Sequence, residues 1–212
     1  MRHLLLGATG LVGRELLQQL LADDATSRLV TITRRPLGLT HPKLESHVFD
    51  LGAMEKHAPL FAVDAIFCAL GTTIKVAGSQ ERFRHVDHGL PLLAARLGRE
   101  HAASHYLLVS ALGANARSRV FYNRVKGETE NDIRALGYPR FTIARPSLLL
   151  GPREEYRRGE RIAAKLGWLM PPSMKPIEAR DVARALVSAA KEGREGVRVL
   201  ESKEMRCAPS SS

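Results

Sequence analysis

The sequence predicts a doubly wound α/β domain with a mostly parallel sheet. Three observations point there. Short aliphatic or β-branched runs alternate along the chain with longer stretches whose apolar residues recur at helical spacing. Several of the short runs are apolar at successive positions rather than at every second one, as strands covered by helices on both faces must be. A glycine-rich turn, Gly7 to Gly13, joins the first run to the first amphipathic stretch. With 212 residues, a single domain buries roughly two-thirds of its unfolded surface and needs no disulfide or metal to hold it.

Taken in order, residues 3–6 form the first strand, and Leu11, Leu16, Leu17, Leu20 and Leu21 then mark one face of a helix. Strands are expected at 29–33, 46–49 and 65–69. One long helix follows at about 80–99, with Phe83, Val86, Leu90, Leu93 and Leu97 on its apolar face. Then come a strand at 105–109, a helix at 121–136, a strand at 141–144, a helix at 181–190 and a last strand at 197–200. Right-handed crossovers turn such an alternation into a doubly wound sheet. Between residues 148 and 178 the alternation breaks at Gly151-Pro152, Pro171-Pro172 and Pro176, leaving one short helical stretch near 161–166. That segment is expected to be a small substrate-side cap, and residues 207–212 a loose tail. No repeat or linker divides the chain, so residues 1–212 read as one domain.

The formal net charge is +10, from 32 basic and 22 acidic residues. Clustered cations would suggest nucleic acid. Here they fall in short local pairs, Arg82/Arg84, Arg117/Arg119 and Arg157/Arg158, and only 5% of residues are aromatic. Few rings are left to stack on bases, so the balance is against nucleic acid, and an anionic small molecule suits the charge as well. No apolar run approaches the roughly 20 residues that span a bilayer. The glycine motif starts at residue 7, which leaves no room for a cleavable signal peptide before it. Cys68 and Cys207 make no CxxC pair. These features together predict a soluble cytoplasmic protein. His85-Val86-Asp87-His88 and the pair His101/His105 lack a third ligand at a fitting spacing, so no metal is expected.

Gly7-Ala8-Thr9-Gly10-Leu11-Val12-Gly13 is a GxxGxxG loop between a strand and a helix. Glycine is needed there for the sharp turn, for close approach of backbone to a pyrophosphate, and for packing of the helix on the sheet. Free amides and the positive end of the helix then hold the phosphates. A glycine-rich turn chosen for packing alone is the plainer account. After the second strand an NAD site usually places an acid that binds the ribose 2′-hydroxyl. No acid lies between Asp24 and Glu45, and Arg34 and Arg35 stand there instead. Two guanidiniums can pair with a 2′-phosphate, which predicts NADP(H); an ordinary solvated basic loop is the alternative.

Tyr122 and Lys126 are four residues apart and so share one helix face. An adjacent ammonium favours the phenolate, which makes a phenol a usable proton donor and acceptor near neutral pH. Ser110 ends the fifth strand, 12 residues before Tyr122, at the carboxyl edge where such sheets bind ligands. Its hydroxyl can hold a substrate carbonyl. A core tyrosine beside a surface lysine would produce the same spacing without chemistry. Cys68 reads as a small core residue.

The segments GATGLVGREL, FCALGTT, VSALGA, YNRVKGE and ARPSLLLGPR resemble the short-chain dehydrogenase/reductase superfamily. The resemblance is nearest to its compact atypical members, the Tat-interacting protein TIP30 (oxidoreductase HTATIP2) group and its bacterial relatives. It covers about residues 2–201 and implies an NADP(H)-binding Rossmann fold in which Gly7, Gly10 and Gly13 form the phosphate loop. It further implies that Arg34 meets the 2′-phosphate, Asp50 and Leu51 flank the adenine, and Ala69, Leu70 and Gly71 line the adenosine ribose. Ser110, Tyr122 and Lys126 match the catalytic set, Lys126 also holding the nicotinamide ribose, and Arg145-Pro146 leads into the substrate side. Homodimers through the long middle helices are common in such relatives. Two departures stand out: Ala111 where many relatives have a second hydroxyl residue, and Asp87 where larger ones often have Asn. The chain also lacks the C-terminal mass that sugar-nucleotide enzymes use. The expected function is an NADP(H)-dependent oxidoreductase acting on a small carbonyl or alcohol. The alternative is a non-catalytic NADP(H)-binding regulator or scaffold.

Overall fold

The structure, a computed structural model, describes residues 1–150 and 175–206. Its strands are β1 (Arg2–Leu6), β2 (Arg28–Thr33), β3 (Leu44–Val48), β4 (Ala65–Cys68), β5 (His105–Val109), β6 (Arg140–Arg145), β7 (Leu149–Leu150), β8 (Ile177–Glu178) and β9 (Gly196–Glu201). Seven of them form one sheet in the order β3-β2-β1-β4-β5-β6-β9, every pair parallel. Chain order reverses between β1 and β4, the switch point outside which doubly wound sheets bind their ligands. The predicted fold class is the observed one.

The helices are α1 (Leu11–Ala22), α2 (Ile74–Ala77), α3 (Gln80–Arg84), α4 (Leu90–Glu100), α5 (Phe121–Ala135), α6 (Ala179–Glu192) and α7 (Ser202–Arg206). One face of the sheet packs Leu5, Phe67 and Leu107 against Leu16 and Leu20 of α1 and Val182 and Leu186 of α6. The other packs Leu4, Leu6, Ile66 and Leu108 against Leu97 of α4 and Ile133 of α5. Both faces are covered, which is why β4 and β5 are buried along their whole length. Burying side chains of this size stabilises by about 1.5–3 kcal/mol each before chain entropy is counted.

Besides the short elements α2, α7, β7 and β8, sequence periodicity misses three features. A 3₁₀ segment, Leu51–Phe61, follows β3, with Asp50 Oδ1 accepting from the Gly52 amide at its start and Met54 and Phe61 buried. The edge strand β3 begins two residues earlier than the expected 46–49, because its one-sided burial gives no continuous apolar run to read. The helix expected across 80–99 is broken by a wide π-type turn at His85–Gly89, closed by the Leu90 amide donating to the His85 carbonyl. Pro91 explains the break: it has no N–H to give the preceding turn. The Asp87 carbonyl accepts the Thr129 hydroxyl instead, at 3.0 Å. The extra residue also turns Asp87 inward, so it is fully buried while Val86 is only half-buried.

β7 and β8 form a separate parallel pair, Leu149 beside Ile177 and Leu150 beside Glu178. The expected helical stretch near 161–166 and the tail at 207–212 lie outside the described residues. Among the described residues no helix is long and apolar enough to cross a membrane.

Candidate active site

The glycine loop is shaped by contacts that only glycine permits. Gly7 has φ +84°, and a Cβ there would lie 2.5 Å from the Ala69 carbonyl oxygen. A Cβ on Gly13 would lie 1.9 Å from the Gly7 carbonyl oxygen, inside any allowed contact. Gly10 is less confined; its amide donates to the Gly7 carbonyl at 2.9 Å, closing the turn. Helix α1 then starts with no side-chain cap and no acid in its first turn. Its leading amides, those of Leu11, Val12 and Gly13, have no earlier turn to bond, and the positive end of the helix dipole is uncompensated. Thr9 is exposed at the loop tip and Val12 is anchored in the core, so Val12 contributes backbone only. This donor set fits a pyrophosphate.

Register places Leu6 beside Ile32, so the chain leaving β2 runs past the loop. Arg34 and Arg35 are both exposed there, and among the described residues neither guanidinium has an ion-pair partner. Asp50 uses its carboxylate as a cap, and Leu51 is buried. After β4, the Ala69 amide donates to the Leu6 carbonyl at 2.9 Å and Leu70 packs into the core. Gly71 lies against the charged centre: a Cβ there would be 3.4 Å from Asp87 Oδ1 and 3.7 Å from Lys126 Nζ.

That centre is an ion pair. Lys126 Nζ approaches Asp87 Oδ1 at 2.8 Å with both side chains almost wholly buried, and Asp87 Oδ2 accepts the Thr72 amide at 2.9 Å. Burial works against the Lys126 ammonium, but the charges of Asp87 and then Tyr122 outweigh it and hold its pKa above the ordinary lysine value. Tyr122 sits in the first turn of α5, its ring tilted against Phe83 at 5.5 Å. Tyr122 and Lys126 are therefore brought together as their spacing requires.

Ser110 is engaged elsewhere. Its amide donates to the Ala144 carbonyl at 2.8 Å, and its hydroxyl donates to Glu130 Oε1 at 2.5 Å. Glu130 is buried and held from the other side by Arg145, whose Nε reaches Oε1 at 3.1 Å and whose Nη2 reaches Oε2 at 2.6 Å. Glu130 was not among the sequence candidates, although it continues the four-residue series Tyr122, Lys126, Glu130 along α5. In the sequence Asp87 stands out as a departure from the family pattern and as part of the run His85–His88; the π-type turn is what aims it at Lys126.

The remaining candidates disperse. His88 pairs with Asp132 at 2.7 Å, His101 Nδ1 lies 2.9 Å from the Leu97 carbonyl, and His105 Nε2 meets the Thr142 hydroxyl at 2.9 Å. Among the described residues no group of three or more His, Cys, Asp or Glu is placed to hold a metal ion. Cys68 is fully buried, and burial pushes its thiol up.

A parallel sheet with its switch point at an uncapped glycine loop defines a dinucleotide-binding domain of the Rossmann type. The chain belongs to the NAD(P)H-binding family, whose model matches residues 7–193, from the first glycine of the loop to the end of α6. Among curated proteins it is similar to "Protein FMP52, mitochondrial" of Candida albicans, 33% identical over 208 residues, covering 92% of this chain and 90% of that one. It is also similar to "Protein HTATIP2" of Rattus norvegicus, 35% identical over 173 residues, covering 80% of this chain and 71% of that protein. The latter meets the short-chain dehydrogenase/reductase resemblance of the motifs. Among solved structures, MoeE5 in complex with UDP-glucose and NAD has the same fold, with a TM-score of 0.75 at 16% identity over 94% of this chain and 75% of that one.

These relatives correct two expectations. The fungal proteins carry mitochondrial names, against the expected cytoplasmic location. They are eukaryotic as well, against a bacterial group. Low cysteine content separates disulfide-rich secreted proteins from those of reducing compartments, and it does not distinguish one reducing compartment from another.

Proposed function

We propose that the chain is an NADP(H)-dependent oxidoreductase that moves a hydride between the nicotinamide and a small carbonyl or alcohol. The observation that carries this reading is the buried Lys126–Asp87 pair with Tyr122 one turn away on α5. In this reading Gly7, Gly10 and Gly13, with the amides of the first turn of α1, hold the pyrophosphate. Arg34 and Arg35 take the 2′-phosphate. Asp50 and Leu51 border the adenine, and Ala69, Leu70 and Gly71 the adenosine ribose. When bound, the cofactor supplies or accepts the hydride.

Tyr122 gives the carbonyl oxygen its proton in reduction and takes it back in oxidation. Lys126 holds positive charge beside the phenol and binds the nicotinamide ribose. Ser110 turns its proton from Glu130 to the substrate oxygen, and Asp87 keeps Lys126 charged despite its burial. The mitochondrial names of the fungal relatives support a mitochondrial setting.

Parallel calorimetric titrations with NADPH and NADH are expected to show NADPH at least about tenfold tighter, since charge-assisted bonds to one phosphate are worth about 1.5–3 kcal/mol. A carbonyl panel with the tighter cofactor is then expected to find turnover that Tyr122→Phe removes by at least about a hundredfold, with NADPH affinity nearly unchanged. Turnover in the variant equal to that of the parent would refute the catalytic assignment. The second reading, an NADP(H)-binding regulator or scaffold, draws on the Ser110 hydroxyl already being given to Glu130. It predicts no oxidation of NADPH by any carbonyl and capture of a partner protein that depends on the cofactor.

A further inference from the structure

A cleft of about 450 Å³ opens along a flank of α5 that Tyr122 and Lys126 do not line. Its polar walls are Asn115 and Arg117 from the loop after β5, Glu130, Asn131 and Arg134 from α5, and Arg145 from the end of β6. Three guanidiniums thus face one carboxylate. That carboxylate is already committed, to Arg145 on one side and to the Ser110 hydroxyl on the other. Arg117 and Arg134 are exposed, and among the described residues neither has an ion-pair partner. The cleft therefore carries two uncompensated cations and, apart from Glu130, side chains able to donate hydrogen bonds.

Its loop wall is already set. Gly127 has no side chain, and a Cβ there would sit 2.2 Å from the Ala116 amide nitrogen, so the loop rests directly on the helix. The Asn115 amide donates to the Asn123 carbonyl at 2.9 Å, the Arg117 amide to Asn115 Oδ1 at 2.8 Å, and Arg124 Nη1 to the Ser118 carbonyl at 3.0 Å. A site held this way loses little freedom when a ligand arrives.

We propose that this cleft binds a small oxyanion, a phosphate ester or a carboxylate, between the forks of Arg117 and Arg134. A guanidinium matches two oxygens of either group with parallel hydrogen bonds. The buried Glu130 closes the inner end to negative charge, so the anion stays separate from the glycine loop and from Ser110. The proposal stands whether or not the chain turns over a carbonyl.

The test is calorimetry on the full chain with inorganic phosphate in one arm and succinate in the other, each repeated with NADPH present to fill the glycine loop. At least one arm is expected to bind, and Arg117→Gln with Arg134→Gln is expected to weaken it at least about tenfold, the loss of one charge-assisted contact or more. Both positions are exposed, so the melting temperature and the NADPH affinity of the double variant are expected to match the parent. Phosphate binding tighter than succinate identifies a phosphate ester as the ligand class, and the reverse identifies a carboxylate. Arg134→Lys, which keeps the charge and loses the fork, is expected to fall between parent and double variant. No binding in either arm, or equal affinity in the double variant, overturns the proposal.

Discussion

The two edges of one sheet bury polar groups in opposite ways. At the carboxyl edge Lys126 and Asp87 are buried as a pair, and Glu130 is buried between Arg145 and Ser110. At the amino edge His3 and His105 lie in one register row through Ala65, and burial pushes each down to about 4, with the N-terminal ammonium adding to it for His3 and Arg140 for His105. Their partners are hydroxyls, Thr26 for His3 and Thr142 for His105. Removing a charge from water is tolerated where a countercharge arrives from another element, and otherwise the group gives up its charge. The carboxyl edge has such countercharges because loops and helix starts converge there. At the amino edge Asp64 and Asp23 favour a charged His3 too weakly to offset its burial, and Phe67 packs edge-on to it at 5.3 Å.

The largest break in this contrast is expected from Asp87→Ala, which strands Lys126 in the interior. Loss of one partner of a buried pair costs about 3–5 kcal/mol, to be read as a shift in urea unfolding. A loss under about 1 kcal/mol would mean that the pair is hydrated and the carboxyl edge no different from surface.

Acid is expected to act on the other edge. The folded histidines titrate at about 4 against 6.5 for the unfolded chain, so between those values the unfolded state binds more protons. Stability present above pH 6.5 is then lost as pH falls to 4, by up to roughly 3 kcal/mol per histidine at about 1.4 kcal/mol per pH unit. His105→Gln should flatten that slope. Lys126 has the opposite sign: its raised pKa contributes stability that is complete below the ordinary lysine value and is lost as pH rises through the raised one. Denaturation curves from pH 4 to 11 that show no loss at either end would remove the contrast. The smallest effect is expected from Thr142→Val, which takes away the His105 hydrogen bond at near-constant shape and costs about 1 kcal/mol by the same measurement.

How much of this was legible depends on how local each cause is. Strand β4 declares itself because every side chain in the run is apolar, β1 and β5 because only their leading residues are not, and the glycine loop because its spacing is continuous in sequence. Tyr122 and Lys126 share a face by helix geometry alone. Pro91 was visible, but the turn it widens, and so the inward aim of Asp87, depends on Thr129 from another helix taking the freed carbonyl. Glu130 was equally visible as a third member of the four-residue series; its role needs Arg145 from β6 and Ser110 from β5.

Sequence alone determined the alternation of strands and helices, the parallel sheet, the position of the glycine turn and the placing of phenol and ammonium on one helix face. Each follows from contacts between near neighbours or from one-dimensional patterns of polarity. Only the tertiary structure decided which carboxylate meets Lys126, where the Ser110 proton goes, and which histidines lose their charge. Those outcomes depend on Coulomb and desolvation energies between residues 15 to 60 positions or more apart, and such energies are set by distance in space and not along the chain.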